Sequence, residues 1–225
     1  MSKIQKFVVI GMGAFGREIA TVLKDQKADV VVIDENKETI HELKQEGFYH
    51  AVSLDATEIS SLKRFVSSED IVIVAMGESF EANIVTVANL KKIGVHQIYS
   101  RATKKVHREI LKSMNVIETL FPERFAGRKF ALELMYDSVQ FISEYAKGLC
   151  ISELKAPKQY WGKTIIDINV RKSFNLNIVA LKQKLAKGKE EIYALGFENI
   201  PLEETHTLIL FGKEEDITSF AKQSN

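Results

Sequence analysis

A glycine-rich turn between a short apolar strand and a helix constrains the fold of this chain more than any other feature. Residues 7–10 are apolar and predict a buried strand, and residues 11–16 follow with the spacing G-x-G-x-x-G. Apolar residues then recur at helical spacing, and a second apolar run over residues 30–33 ends in Asp34, roughly 20 residues further on. This succession of strand, glycine turn, helix, strand and acid predicts a nucleotide-binding unit.

The three glycines of the turn have separate physical roles. Gly11 permits the tight turn, Gly13 leaves room for a diphosphate beside the backbone, and Gly16 lets the helix pack closely on the strand. A bound phosphate would meet free backbone N–H groups and the positive end of the helix dipole, at the turn that holds Ala14 and Phe15. The turn therefore predicts a phosphate site.

Asp34 predicts which nucleotide the unit binds. Its carboxylate can accept hydrogen bonds from both hydroxyls of an adenosine ribose, and the next residues, Glu35 and Asn36, offer no cation for a 2′-phosphate. This pattern argues against NADP. The alternative is that the glycines form only a tight turn and that Asp34 is a solvated strand end.

Strand and helix patterns continue to alternate as far as residue 120 and predict an α/β fold, a Rossmann-type doubly wound parallel sheet. In such a sheet ligands bind beyond the carboxyl ends of the strands. The candidate residues at these ends are Asp34, Asp55, Gly77 and Arg101. We expect them to converge on one nucleotide, with Arg101 near a phosphate and Arg17 able to do likewise. The alternative is that Asp55 caps the next helix and that both arginines are solvated.

The pattern changes after Pro122. Residues 123–147 predict one long helix whose apolar residues step by three and four. These residues are Leu132, Met135, Val139, Ile142 and Ala146. Such a helix can pack on its own sheet, link two domains or dimerise, and the narrow seam favours dimerisation. We expect a nucleotide-binding domain over 1–122, a linking and dimerisation helix over 123–147, and a small α+β domain over 148–225 with three strands and two helices.

Composition and charge limit the classes of function. The chain of 225 residues has 31 basic and 30 acidic side chains, so its net charge of +1 offers no electrostatic case for nucleic acid. Cys150 is the only cysteine, and the five histidines show no metal-binding spacing. The apolar runs are too short for a bilayer and no signal-peptide pattern is present, so we expect a cytoplasmic protein. No residue pair points to catalysis, so we do not expect an enzyme.

Taken together, these motifs resemble a known family. The first domain is similar to the regulator of potassium conductance (RCK, TrkA-N type) in cytosolic subunits of Ktr- and Trk-type potassium transporters, and the second resembles the smaller TrkA-C-type domain of those subunits. The segments that carry the resemblance are residues 8–16, 32–34, 55–58, 73–77, 121–123, 162–171 and 177–182. They cover nearly the whole chain, and the two-domain order is more specific than the glycine motif.

The resemblance implies a nucleotide-gated regulator. Subunits of this family form dimers that assemble into an octameric ring under an integral-membrane potassium channel subunit, at the inner face of the cell membrane. Ktr-type members bind ATP and ADP, whereas Trk-type members are associated with NAD(H). By the same resemblance Glu123 would help to hold Mg²⁺ or Ca²⁺ near the phosphates, and otherwise it is a helix N-terminal charge. Ktr-type sequences commonly carry an arginine where this chain has Ala14, so that contact with the terminal phosphate is missing here.

A second ligand is also implied by the resemblance. The smaller domain of some Ktr subunits binds cyclic di-AMP at a dimer interface. The matching positions in this chain are Ile165, Ile166, Arg171, Asn177, Ile178 and Ala180. Arg171 would pair with a phosphate and the apolar residues would flank adenine. The alternative is that all six are ordinary domain core.

The favoured function is therefore a cytosolic gating subunit that controls potassium flux. The predicted nucleotide site comprises Gly11, Gly13, Ala14, Phe15, Gly16, Asp34, Asp55, Gly77 and Arg101. A small NAD(H)-dependent oxidoreductase is the alternative, which shares the fold but leaves no substrate domain with a convincing catalytic residue. A redox-sensing NADH-binding repressor would need a basic helix-turn-helix, and no segment offers one.

Overall fold

A computed structural model describes residues 5–136, 138–146 and 148–222. The chain divides into two compact units, Met1–Arg124 and Phe125–Asn225. Within the described ranges, no helix has both the length and the apolar character needed to cross a bilayer.

The first unit contains a parallel sheet with helices between its strands. The strands are β1 Lys6–Ile10, β2 Asp29–Asp34, β3 His50–Ser53, β4 Ile71–Val74, β5 Gln97–Arg101 and β6 Glu118–Leu120. The helices are α1 Ala14–Asp25, α2 Lys37–Gln45, α3 Ile59–Leu62, α4 Phe80–Ile93 and α5 Lys105–Ser113. The strand order is β3-β2-β1-β4-β5-β6 with every neighbour parallel, which is the order of doubly wound dinucleotide-binding folds. The predicted Rossmann-type sheet is confirmed.

The central strands are apolar on both faces because helices cover both faces of the sheet. Val8 and Val9 are adjacent on β1 and both fully buried, yet they belong to different apolar clusters. Val9 lies between Val32 of β2 and Ile73 of β4 in the strand register. Strand β1 therefore lies in the interior of the sheet, and it leads directly into the glycine turn.

The second unit is built on an antiparallel sheet. Its strands are β7 Val139–Ala146, β8 Leu149–Lys155, β9 Asn177–Lys184, β10 Glu190–Tyr193 and β11 His206–Lys213. Its helices are α7 Ile165–Ile168, α8 Val170–Phe174 and α9 Glu214–Lys222, while α6 Pro122–Met135 begins before the unit and continues into it. The described strands pair in the order β10-β9-β11-β8-β7. The predicted α+β class holds, with five strands where three were expected.

The prediction of one helix over residues 123–147 is wrong. Helix α6 ends at Met135, and Val139, Ile142 and Ala146 lie on β7, which pairs with β8. Val139 is 4% exposed and belongs to the core of the second unit, so it is no part of a helical seam. Short apolar runs satisfy helix and strand spacing alike, and here pairing with β8 decides the outcome. Lys147, the predicted end of the helix, lies outside the described residues.

Two short helices, α7 and α8, follow each other directly in the second unit. Asn169 has φ = +45° and ends α7, and α8 begins at the next residue. Asparagine tolerates this left-handed conformation better than most residues. Thr164 caps α7 and forms a capping box with Asp167, in which each side chain bonds the backbone N–H of the other residue. The hydrogen bonds from Thr164 lower the pKa of the Asp167 carboxyl.

His206 links the stability of the second unit to pH. It begins β11, is 2% exposed, and its Nδ1 accepts a hydrogen bond of 2.9 Å from the Glu203 N–H. Burial lowers the pKa of His206 below its usual 6.5, although the nearby Glu203 carboxylate opposes this effect. Between the folded pKa and 6.5, the unfolded chain binds a proton that the folded chain does not. Stability therefore falls as the pH is lowered through this window.

We expect His206→Gln to flatten the pH dependence of unfolding below pH 6.5, because glutamine does not titrate. Urea denaturation at several pH values measures the slope. His96→Gln, at an exposed position of the first unit, is the control and should keep the slope of the wild type. Equal slopes for His206→Gln and the wild type would show that this side chain does not carry the effect.

Candidate nucleotide-binding site

A cleft of about 570 Å³ opens at the carboxyl ends of the strands in the first unit. Its walls come from the glycine turn after β1, the end of β2, and the loops that follow β3 and β4. It lies where the strand order reverses between β1 and β4, which is the position at which doubly wound folds bind their ligands.

The glycine turn has the geometry that the motif predicts. Gly11 has φ = +92°, which side-chain-bearing residues rarely adopt. A Cβ on Gly16 would lie 1.9 Å from the carbonyl oxygen of Gly11, so helix α1 approaches the strand too closely for any side chain. A Cβ on Gly13 would meet nothing within 4 Å, and Gly13 is the N-cap of α1 without a side-chain hydrogen bond. The first turn of α1 thus faces open space with its donors uncapped by a side chain.

Asp34 connects the end of β2 to the glycine turn. Its Oδ2 accepts a hydrogen bond of 2.6 Å from the Met12 N–H, and its Oδ1 accepts one of 2.8 Å from the Asn36 N–H. A carboxylate has about four lone-pair positions, so each oxygen can still accept a bond from a ribose hydroxyl. The Asn36 side chain itself caps α2 by accepting from the N–H groups of Glu38 and Thr39.

Asp55 lies on the wall of the cleft and also shapes its own loop. Its Oδ1 accepts from the backbone N–H of Thr57 at 2.8 Å and from the Thr57 hydroxyl at 2.6 Å. The N-cap of α3 is Glu58, so Asp55 stabilises the turn before the helix and is not its N-cap. The carboxylate keeps lone pairs for a ligand while it holds the loop.

Arg101 lies close to Gly77 at the edge of the cleft. A Cβ on Gly77, which lines the cleft, would lie 2.6 Å from Cζ of Arg101. The guanidinium lies 5.7 Å from the centre of the Phe15 ring and pairs with the carboxylate of Glu123. The Nε of Arg101 is buried and has no hydrogen-bond partner among the residues that the structure describes.

The structure divides the predicted site residues into two groups. Gly11, Gly13, Asp34, Asp55 and Gly77 all line the cleft. The others, which are Ala14, Phe15, Gly16 and Arg101, do not belong to its walls. Their place in a binding site stays a prediction.

Arg17 is not among the described residues that line the cleft. It forms ion pairs of 2.9 Å with Glu42 and 2.6 Å with Glu46, and both acids lie at the carboxyl-terminal part of α2 and just beyond it. Arg17 therefore joins α1 to α2.

Two polar residues behind the cleft were missed by the sequence reasoning. The Asn83 side chain donates to the carbonyl oxygens of Met76 at 3.1 Å and Arg101 at 3.3 Å, and the Ser100 hydroxyl donates to Asn83 Oδ1 at 2.9 Å. Both side chains are buried, so these bonds fix the chain after β4 relative to the end of β5. An asparagine at a core-facing position of α4 was the signal that could have revealed them.

The charged residues that line the cleft are acidic. Among the described residues, the lining contains the four acids Asp34, Glu35, Asp55 and Glu78, and no lysine or arginine. Within the described part of the chain, no group of three or more histidine, cysteine or acidic side chains is arranged to hold a metal ion. Glu123, the predicted metal ligand, pairs with Arg101.

The predicted second ligand site lies in the second unit. Arg171 Nε donates to Asn177 Oδ1 at 2.9 Å, so the structure brings these two polar residues together. Ile166 is 61% exposed, whereas Ile165 and Ile178 pack against the core. The remaining position, Ala180, is buried on β9. The cyclic di-AMP site stays a prediction.

The strand order and the cleft at its reversal define a protein whose first unit has the doubly wound fold of nucleotide-binding domains. Residues 7–122 match the TrkA-N domain family. Ktr system potassium uptake protein C of Bacillus subtilis (strain 168) is 32% identical over 221 residues, which are 97% of this chain and 97% of that protein. The chain therefore belongs to the TrkA-N family together with the Ktr system potassium uptake proteins, and the resemblance is confirmed.

Further similarities agree with this assignment. Ktr system potassium uptake protein A of the same organism is 28% identical over 226 residues, covering 98% of this chain and 97% of that protein. The crystal structure of the GsuK RCK domain matches with a TM-score of 0.65 and 17% identity, over 100% of this chain and 48% of that chain. The present chain thus spans about half the length of that structure. At this identity the likeness shows a shared fold.

Proposed function

We propose that this chain is a cytosolic, nucleotide-binding regulatory subunit of a potassium channel or transporter. The observation that carries the proposal is the cleft where the strand order reverses between β1 and β4. In this cleft Asp34 can bind a ribose, and the open space beside Gly13 can accommodate a phosphate. The likeness to Ktr system potassium uptake proteins over nearly the full chain supplies the transport context.

The ligand that we propose is an adenine nucleotide, ATP/ADP or NAD(H). GsuK has been solved bound to NAD and bound to ADP, so the shared fold accommodates both in that protein. The ribose would bind Asp34 and the phosphates would lie over Gly13 at the start of α1. Ligand binding regulates only if its free energy differs between two states of the assembly.

We further propose that the chain forms a homodimer that assembles into an octameric ring against a membrane potassium channel subunit. Helix α6 offers a surface for such contacts, since Phe130, Leu134 and Met135 are 63%, 65% and 69% exposed. Apolar side chains of this size on one helix are typical of a surface that a partner covers. The chain would then lie at the inner face of the membrane through its partner.

We expect Asp34→Ala to weaken nucleotide binding by about 1.5–3 kcal/mol, roughly 10- to 150-fold in Kd, because it removes hydrogen bonds to a charged group. Isothermal titration calorimetry with ADP and NADH measures the change. Asp25→Ala, at the exposed end of α1, removes the same charge outside the cleft and should leave the affinity unchanged.

Unchanged affinity in Asp34→Ala would place the nucleotide elsewhere. Since Asp34 also holds Met12, thermal melting of both variants is needed to show that the first unit stays folded. The oxidoreductase alternative is tested in the same preparation. Stoichiometric NADH binding without its consumption, in the presence of simple alcohols and 2-oxo acids, is expected of a regulator, and sustained turnover would overturn the proposal.

A further inference from the structure

The negative charge of the residues that line the cleft disfavours an anionic ligand. The four lining acids repel phosphates, and none of the described residues in the walls is a lysine or arginine that would offset them. Backbone N–H groups of α1 supply only the partial positive charge of a helix end. A side chain just outside the walls can add the full positive charge that the helix end does not supply.

Arg101 is placed to supply that charge. Its guanidinium lies against Gly77 of the cleft wall and near Phe15 in the first turn of α1. The side chain is 19% exposed, and its buried Nε has no hydrogen-bond partner in the described part of the chain. A guanidinium with unused donors, close to a helix N-terminus, suits a phosphate oxygen well.

Glu123 forms an ion pair with the guanidinium of this arginine. The carboxylate pairs with the Nη2 nitrogen of Arg101, and the Glu123 side chain is 54% exposed. Such an exposed carboxylate returns to water at little cost, whereas the largely buried arginine must keep a partner. The pair is therefore asymmetric, because only the acid is free to leave.

We propose that Glu123 is a displaceable internal counter-ion for Arg101 and that a phosphate of the bound nucleotide takes its place. This inference rests on the proposed function. It assigns Glu123 a competing role, in which removal of its charge strengthens phosphate binding without any metal ion. If Glu123 were instead a metal ligand, the opposite result would be expected. Removal of its carboxylate would then weaken nucleotide binding in the presence of Mg²⁺.

The test is Glu123→Gln, measured by calorimetry with ADP and with adenosine, each in EDTA and in Mg²⁺. We expect ADP to bind about two- to fivefold more tightly to the variant in EDTA, the range of an exposed ion pair, while adenosine binds unchanged. Glu118→Gln, at an exposed position of β6, removes the same charge elsewhere and should leave both affinities as they are.

Substitution of Arg101 provides a second test of the proposal. Arg101→Gln should lower ADP affinity at least about tenfold and abolish the gain from Glu123→Gln in the double variant, since the acid then has no cation to occupy. Arg108→Gln, at an exposed position of α5, is the matched control. Arg101→Lys keeps the charge and should retain part of the affinity if folding is intact.

The outcomes separate this inference from the proposed function. If neither ADP nor adenosine binds the wild type, the nucleotide site itself is wrong. If ADP binds the wild type and Glu123→Gln leaves its affinity unchanged or lowers it in EDTA, the counter-ion role is overturned and the nucleotide site stands. A gain that is equal for ADP and adenosine would also overturn it, because the effect would not involve the phosphate.

Discussion

Gly16→Ala will destabilise the first unit by about 3 kcal/mol, the upper part of the range for overpacking, and abolish nucleotide binding. The new Cβ would lie 1.9 Å from the carbonyl oxygen of Gly11, which is a backbone atom and cannot rotate away. Gly11 is held in turn by the hydrogen bond of 2.8 Å from its N–H to the Ile33 carbonyl oxygen. Relief therefore requires α1 to move off the sheet, and overpacking of this kind costs about 1–3 kcal/mol or more.

Chemical denaturation and calorimetry with ADP measure the two effects of Gly16→Ala. Gly13→Ala is the matched control, because the Cβ at Gly13 meets no atom within 4 Å and its φ of −64° suits alanine. That variant should unfold like the wild type, while its methyl group stands where the phosphates are proposed to lie. The same unfolding midpoint for both alanine variants would show that α1 is not packed as the structure has it.

Val139→Asp will unfold the second unit, with an expected loss of more than about 3 kcal/mol, because it buries a carboxylate in an apolar core. Val139 is 4% exposed and pairs with Leu154, itself fully buried, on the neighbouring strand. The helical seam expected from the sequence makes a different prediction, since a charge there would separate a dimer and leave each chain folded.

Circular dichroism melting and mass measurement by light scattering separate these outcomes. Gln140→Asp is the control, because Gln140 is the exposed neighbour of Val139 on β7 and points to the other face of the sheet. A folded Val139→Asp chain of reduced mass would favour the seam and contradict the strand. Loss of the second unit's transition in Val139→Asp alone is the result expected from the structure.

Local chemistry decides which parts of this fold are predictable from sequence. The path from β1 through the glycine turn to Asp34 depends on backbone freedom and on apolar periods within about 30 residues, as βαβ units generally do. Strand β7 depends instead on pairing with β8, which residues 123–147 do not contain, so Val139 and its neighbours satisfied a helical pattern equally well.

The candidate site shows the same division. Asp34 is the last residue of β2, and Asp55 and Gly77 follow β3 and β4. A parallel sheet brings these strand ends together whatever the side chains are. The bonds from Asn83 to Met76 and Arg101 are different, because they connect residues 7 and 18 positions apart through side-chain placement. No spacing rule predicts such contacts, nor the pair of Arg101 with Glu123.

The close approach of Gly77 to Arg101 has a consequence for substitutions at residue 77. The two positions share one small volume, since even a methyl group at residue 77 would lie 2.6 Å from the guanidinium carbon. A side chain at residue 77 would therefore displace the guanidinium of Arg101, which is the flexible end of its side chain. The cation would then leave its present position near the ring of Phe15.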